Sequence, residues 1–231
     1  MQVAIVKNLW RYPVKSLLGE DCQQFTINSR GVEGDRFYAV TDEQGKFGSG
    51  KNTRRFRKMN GLFEFAACYQ EGRLMVKCPD QAVTDNLSEI NLALSECVGQ
   101  TVTLQREQDV PHFDAGAIHI LTTGSIEWLK AQLPDAVIDQ RRFRANIILD
   151  TDSVEPVEQN WLGKTIKIGD VTLQITGKTQ RCAMTGFKQS ELPREPSIVK
   201  CIAKQLNSDF GVYAKVIETG MIKQNDVVQL L

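Results

Sequence analysis

The stretch TQRCAMTGFK, residues 179–188, sets Cys182 beyond Lys178 and Arg181 and just before a Thr185-Gly186 turn. Positive neighbours favour thiolate, the form of cysteine that attacks sulfur or ligates a soft metal. The turn residues place Cys182 in a loop after the strand-like VTLQIT rather than within it. Most cysteines are instead small buried hydrophobes, the role expected here for Cys68 and Cys97 and also for Cys22, Cys78 and Cys201. On its neighbours alone, Cys182 stays open between packing and chemistry.

Several other stretches offer groups suited to an anion. In RYPVKSLLGE, Pro13 removes an N–H and keeps Tyr12 extended, so the chain leaves its strand with Lys15 and Ser16 in a loop. Lys15 there is either a phosphate-binding ammonium or a solvated surface residue. In GVEGDRFYAV, Arg36 follows a glycine turn, positioned for bidentate phosphate binding or for an ion pair with Asp35. GSGKNTRRFRK concentrates positive charge in a Gly-bearing loop but lacks the spacing of a P-loop. HILTTGSIEWL puts Thr122, Thr123 and Ser125 ahead of an apolar-periodic helix, where hydroxyls cap free N–H groups and an anion can also bind. QRRFRANIILD adds Arg141, Arg142, Arg144 and Asn146 at a strand entry, with alternation putting Arg142 and Arg144 on one face.

The elements that must position these groups are mostly short strands. QVAIVKNL, RFYAV, TVTLQRE, ANIILD, KTIKIG with VTLQIT, FGVYAKVIE and VVQLL alternate or run apolar between Gly, Asn and Asp, and FEFAACYQ with RLMVKC reads as a hairpin across Glu71-Gly72. Three helices interrupt them: Asn86 to Val98, with Leu87, Ile90, Leu94 and Cys97 as its core stripe; Ser125 to Leu133; and Ile198 to Leu206, with Val199, Ile202, Ala203 and Leu206 on one face. The expected fold is therefore mainly β with a few helices (α+β). The polar EQDVPHFDAGA, residues 107–117, marks the boundary between domains 1–107 and 108–231.

Composition narrows the function classes. With 28 basic and 28 acidic side chains in 231 residues, no global field favours nucleic acid or an anionic membrane, so any anion site is local. No apolar run reaches the ~18 residues of a membrane span and the N-terminus lacks a signal peptide, which reads as a cytoplasmic protein. Dispersed cysteines and only two histidines argue against a zinc site or a disulfide framework.

Taken together, YPVKSLLGE, GVEGDRFYAVTDEQGKF, HILTTGSIEWL, RRFRANIILD, TQRC and FGVYAKVIETGMIKQNDVVQLL resemble, in order, the MOSC family, named for the C-terminal domain of molybdenum cofactor sulfurase. The resemblance spans nearly the whole chain and implies an N-terminal β-barrel-like domain followed by a MOSC β-barrel domain. It implies a pterin-based molybdenum cofactor (molybdopterin) contacted by Lys15, Arg36, Thr122, Thr123, Arg144 and Asn146. Cys182 would be catalytic and the metal's thiolate ligand. The chain departs from the family pattern in AMTGFKQ after the cysteine, in Ala145 where proline is frequent, and in Asn225-Asp226 where Gly-Asp is usual.

The implied activity is molybdenum-dependent oxidoreduction of N-hydroxylated compounds. No C-x₄-C-x₂-C iron–sulfur spacing is present, so electrons are expected from a separate flavin or iron–sulfur protein. The alternatives are a sulfur carrier or transferase, receiving persulfide sulfur from a pyridoxal-phosphate-dependent cysteine desulfurase, and a non-catalytic module that binds pterin phosphates. Pyridoxal phosphate itself is not assigned to this chain, because no lysine has a Schiff-base pattern.

Overall fold

The opening strand, Gln2–Arg11, buries Ala4, Val6 and Leu9 and exposes Ile5 and Lys7. A register shift between Val6 and Asn8 accounts for the break in the period-two pattern: an extra residue there returns Leu9 to the inner face. This strand pairs antiparallel with Ile147–Asp150 on one side and Val227–Leu230 on the other. The computed structural model, which describes residues 1–231, thereby contains a closed seven-stranded barrel. Around it the order is Gln2–Arg11, Ile147–Asp150, Ile118–Thr122, Asp209–Glu218, Val171–Gln180, Thr165–Ile168 and Val227–Leu230. Closure removes free edges, and the inward side chains form a core that includes Val6, Leu9, Ile120, Ile147, Leu173 and Val228.

A second core lies wholly within residues 14–104. There Tyr38–Asp42 pairs with Val102–Arg106 and Phe47–Ser49, and the expected hairpin forms from Ala66–Gln70 and Arg73–Lys77, with Glu71 and Gly72 both left-handed in its turn. Helix α1, Leu87–Val98, covers this core. Asn86 accepts from the Ser88 N–H at 3.0 Å and Gly99 ends the helix at φ 75°. Its buried face is Ile90, Ala93 and Leu94 with Val98 against the core, so Leu87 and Cys97 fall outside the expected stripe and are exposed. Cys97 instead sits over Gly61, where an added Cβ would lie 2.4 Å from Sγ. Cys68 is likewise only half-buried, whereas Cys78 is fully buried.

A third cluster sits outside the barrel beneath α2, Thr123–Gln132, and α3, Pro196–Leu206. The buried residues of α3 are Ile198 and Ile202, while Ala203, assigned to the core face from sequence, is exposed. Helix α2 makes the crossover between Ile118–Thr122 and Ile147–Asp150, the parallel pair of the barrel. The cores do not divide the chain at residue 107. The opening strand and Gln24–Asn28, which pairs with Gly220–Lys223, belong with the second half. No helix is long and apolar enough to cross a membrane.

Candidate functional site: a cationic cleft with an exposed thiol

Two short motifs of the first half lock together before they reach the site. Tyr12 donates its backbone N–H to the Asp35 carboxylate at 2.8 Å and accepts the Arg36 N–H at 2.7 Å, so YPVKS and GDR share one corner. Beyond Pro13, Val14–Lys15 forms a brief parallel bridge with Tyr38–Ala39, which fixes Lys15 in place. Lys15 is 5% exposed, and its ammonium donates to Asp114 at 2.5 Å and to the His112 carbonyl at 2.9 Å. Burial brings its pKa down to about 8, against the opposing pull of Asp114. The segment 107–117, expected only as a linker, thus forms part of the wall.

Arg36 adopts a left-handed backbone at φ 52°, pairs with buried Asp35, and donates to the Arg144 carbonyl at 3.2 Å. Arg144 is left-handed too, at φ 54°, because it caps the tight turn Gln140–Phe143 rather than lying in a strand. The expected alternation of Arg142 and Arg144 therefore does not apply. Arg142 is 1% exposed and donates from each of its three nitrogens to a carbonyl, of Val137, Phe187 and Pro193, which makes it a tie between loops. Arg144 stacks 4.2 Å from the centre of the Tyr12 ring and donates to the Leu17 carbonyl. Burial brings its pKa down to about 10, with Arg36 pushing the same way.

Val171–Gln180 runs four residues further than VTLQIT and delivers Arg181 and Cys182 to the same place. Arg181 donates to the Phe143 carbonyl at 2.8 Å, and Cys182 is exposed at the start of the turn Ala183–Gly186. One cavity of about 100 Å³ is lined by Lys15, Arg36, Arg144, Asn146, Arg181 and Cys182, among others. Lys15 and Arg36 carry carboxylate partners, whereas Arg144 and Arg181 make no salt bridge. Arg144 Nη2 and Arg181 Nε are buried without any hydrogen-bond acceptor. Unpartnered cationic donors in a cavity fit an anion, and an exposed thiol beside them fits a soft metal. The donor set thus suits a phosphorylated, metal-bearing group.

The remaining sequence candidates fare differently. Asn146 lines the cavity, but its amide is committed, accepting from the His119 N–H at 3.1 Å and donating to the Trp10 carbonyl at 3.2 Å. Thr122 and Thr123 are not brought to the cavity. Thr122 caps α2 through the Ser125 N–H at 3.2 Å and donates to Glu158 at 2.6 Å, joined there by the Ser125 hydroxyl at 2.5 Å. Thr123 donates to Asp150 at 3.0 Å. The protein's own carboxylates thus accept from these hydroxyls, which commits them away from the cavity. Sequence reasoning missed Arg181 as a ligand-facing cation and Tyr12 as the platform between two guanidiniums. The first was signalled by its adjacency to Cys182, the second by nothing local.

The chain matches the family described as MOSC domain over residues 107–229 and the one described as MOSC N-terminal beta barrel domain over residues 3–117. It is 29% identical over 136 residues to a molybdenum cofactor sulfurase of Drosophila melanogaster, covering 58% of this chain and 17% of that protein. With the corresponding protein of Drosophila mojavensis it shares 37% identity over 81 residues, 34% of this chain and 10% of the other. The chain thus spans less than a fifth of the length of these curated relatives. Its fold is similar to the YUAD protein of Bacillus subtilis, with a TM-score of 0.56, 14% identity, and coverage of 98% of this chain and 94% of the other.

Proposed function

Since the chain belongs to the MOSC domain family, we propose that its cationic cleft binds the phosphorylated molybdenum cofactor and that the protein reduces N-hydroxylated compounds there. Electrons would come from a separate flavin or iron–sulfur protein. The observation that carries the proposal is the pair of unpartnered guanidinium nitrogens on Arg144 and Arg181 in a cavity also lined by exposed Cys182.

When bound, molybdenum would supply the two-electron redox chemistry of oxygen removal. Arg144 and Arg181 would hold phosphate oxygens through their free N–H groups, and the Lys15 ammonium adds positive charge to the same wall. Arg36, neutralised by Asp35, positions Arg144 through its backbone carbonyl. Asn146 ties the opening strand to Ile118–Thr122 and so keeps the arginine turn in register. Cys182 would present its thiolate to the metal from the open side of the cleft.

A second reading is sulfur transfer, favoured by the exposure of Cys182 and by the relatives named molybdenum cofactor sulfurase. Cys182 would then carry a persulfide received from a separate pyridoxal-phosphate-dependent desulfurase. Metal analysis and mass spectrometry separate the two readings. On the reductase reading, protein from a cofactor-competent host carries about one molybdenum per chain, as one thiolate site requires, and Cys182→Ser loses both metal and N-reductase activity. Full metal and activity in that variant overturn the role of Cys182. A persulfide on Cys182 after incubation with desulfurase and cysteine, in protein without reductase activity, replaces reduction with sulfur transfer. Pterin binding with neither activity leaves only a binding module.

A further inference from the structure

A cationic loop that the cleft chemistry does not use stands beside the cavity. From Gln44 to Phe63 the chain carries Lys46, Lys51, Arg54, Arg55, Arg57 and Lys58 and no acid, although its overall charge is zero. Of these cations only Arg57 forms a salt bridge, with Asp42. Lys51, Arg54 and Lys58 are exposed. Lys58 lies on the outer strand of its sheet, Phe56–Lys58, where charge guards an edge against other chains. Lys51 and Arg54 precede that strand, so edge protection does not account for them. Acids on neighbouring segments do not hold them either, since Glu64 is taken by Lys188 and Asp114 by Lys15.

Three contacts set this loop next to Cys182. The Phe56 ring has the Lys15 ammonium 5.2 Å from its centre and the Lys51 ammonium at 5.4 Å, so one ring joins a cavity cation to an exposed one. Ser49 donates to Met184 Sδ at 3.7 Å. Gly50 packs so closely that an added Cβ would lie 2.4 Å from Met184 Cγ and 3.0 Å from the Phe187 ring. Met184 and Phe187 belong to the turn that starts at Cys182, and both are only half-buried. They come from AMTGFKQ, where the chain departs from the family pattern. An exposed thiol, a small apolar surface and a rim of unpaired cations therefore lie side by side.

We propose that this face is the docking site of the electron donor, and that the donor is a small acidic redox protein; the inference rests on the reductase reading above. A small apolar centre with a charged rim suits the weak, short-lived encounters of redox proteins. Rim charges of opposite sign speed association more than they tighten the complex. Each turnover takes up two electrons and two protons, breaking the N–O bond of the substrate to leave N–H and water. A carrier that gives one electron per encounter must dock and leave twice in that time. Solvated cations meet the need, because their ion pairs are weak and release a partner readily.

The test follows backbone amides of the cofactor-loaded protein in a two-dimensional ¹H–¹⁵N spectrum while flavodoxin, a small acidic flavin protein, is added. Saturable shifts should gather at Gly50–Lys58 and Ala183–Lys188. Binding should weaken by roughly tenfold or more between about 0.05 and 0.5 M KCl, as screening shortens the reach of the charges. The double variant Lys51→Glu, Arg54→Glu should lose roughly tenfold in kcat/KM for reduced flavodoxin at the lower salt. Both side chains are exposed and unpaired, so the variant should melt with the parent. Reduced methyl viologen needs no docking face, and amidoxime reduction driven by it at the higher salt should match in variant and parent. Failure of viologen-driven reduction in the parent overturns the reductase reading and this proposal with it. Viologen-driven reduction without flavodoxin shifts or flavodoxin-driven turnover overturns the docking proposal alone, and so does a double variant that accepts electrons from flavodoxin as well as the parent.

Discussion

Two arginines two positions apart show how little residue type says about role. Arg142 spends its guanidinium on three carbonyls, whereas Arg144 keeps one nitrogen unpartnered. Both stand in RRFRAN, and the motif alone does not tell them apart. Lys15 offers the clearest test at this scale. Its folded pKa, about 8, lies below its ordinary 10.5, so the cost of burying its charge is fully present below pH 8. Between those values only the unfolded chain keeps the proton, and stability gains from this residue as pH rises. Anion binding moves the opposite way, because the native cleft loses a cation. Inorganic phosphate, titrated by calorimetry into the cofactor-free protein, should bind more weakly above pH 8, by up to ~tenfold per pH unit for a single linked proton. Lys15→Met should bind more weakly below pH 8, approach the parent above it, and flatten that dependence. A steep fall persisting in Lys15→Met would place the titrating group elsewhere.

Elements, rather than residues, decide which hydroxyls are available. The start of α2 favours a cap, with an anion as a compatible second occupant; Thr122 does cap it, and the acceptor beside it is Glu158, delivered by the turn Val157–Trp161. Burial raises the pKa of Glu158 despite the hydrogen bonds from Ser125 and Thr122. The native carboxyl therefore holds its proton at pH values where the unfolded one has lost it, and stability from this group falls as pH rises through that window. Glu158→Gln should remove this component, seen as a flatter difference in denaturant midpoint above the ordinary carboxyl range. Thr122→Ala loses both a cap and a buried hydrogen bond and should cost about 1–3 kcal/mol in chemical denaturation. Its phosphate affinity should equal that of the parent, since Thr122 lies outside the cleft. The long strand Val171–Gln180 illustrates the reverse case: its register shifts against Asp209–Glu218 absorb Gly177, and the extension carries Arg181 and Cys182 to the cavity.

At the scale of the whole molecule, the cleft exists because the chain's halves are not separate in space. The opening strand completes the barrel between Ile147–Asp150 and Val227–Leu230, then turns at Pro13 to place Lys15 opposite the Arg144 turn. A fragment of residues 108–231 would lack that strand and expose two open edges. It should fail to unfold cooperatively in thermal circular dichroism, and adding residues 1–107 in trans should restore a cooperative transition. A cooperative melt of the fragment alone would show that the barrel does not need its first strand. Alternation, turn residues and caps are local properties, so the amino-acid sequence by itself determined the strands, the Glu71-Gly72 hairpin, the Asn86 and Gly99 ends of α1, and the mainly β class. The ordered motifs likewise pointed to the family and to Lys15, Arg36, Arg144 and Cys182. Tertiary structure alone decided which cations stay free of carboxylates, that Glu158 accepts from the helix start, and that Ser49 meets Met184 beside Cys182. Those outcomes depend on residues far apart in the chain approaching within hydrogen-bonding distance, and no local pattern encodes that approach.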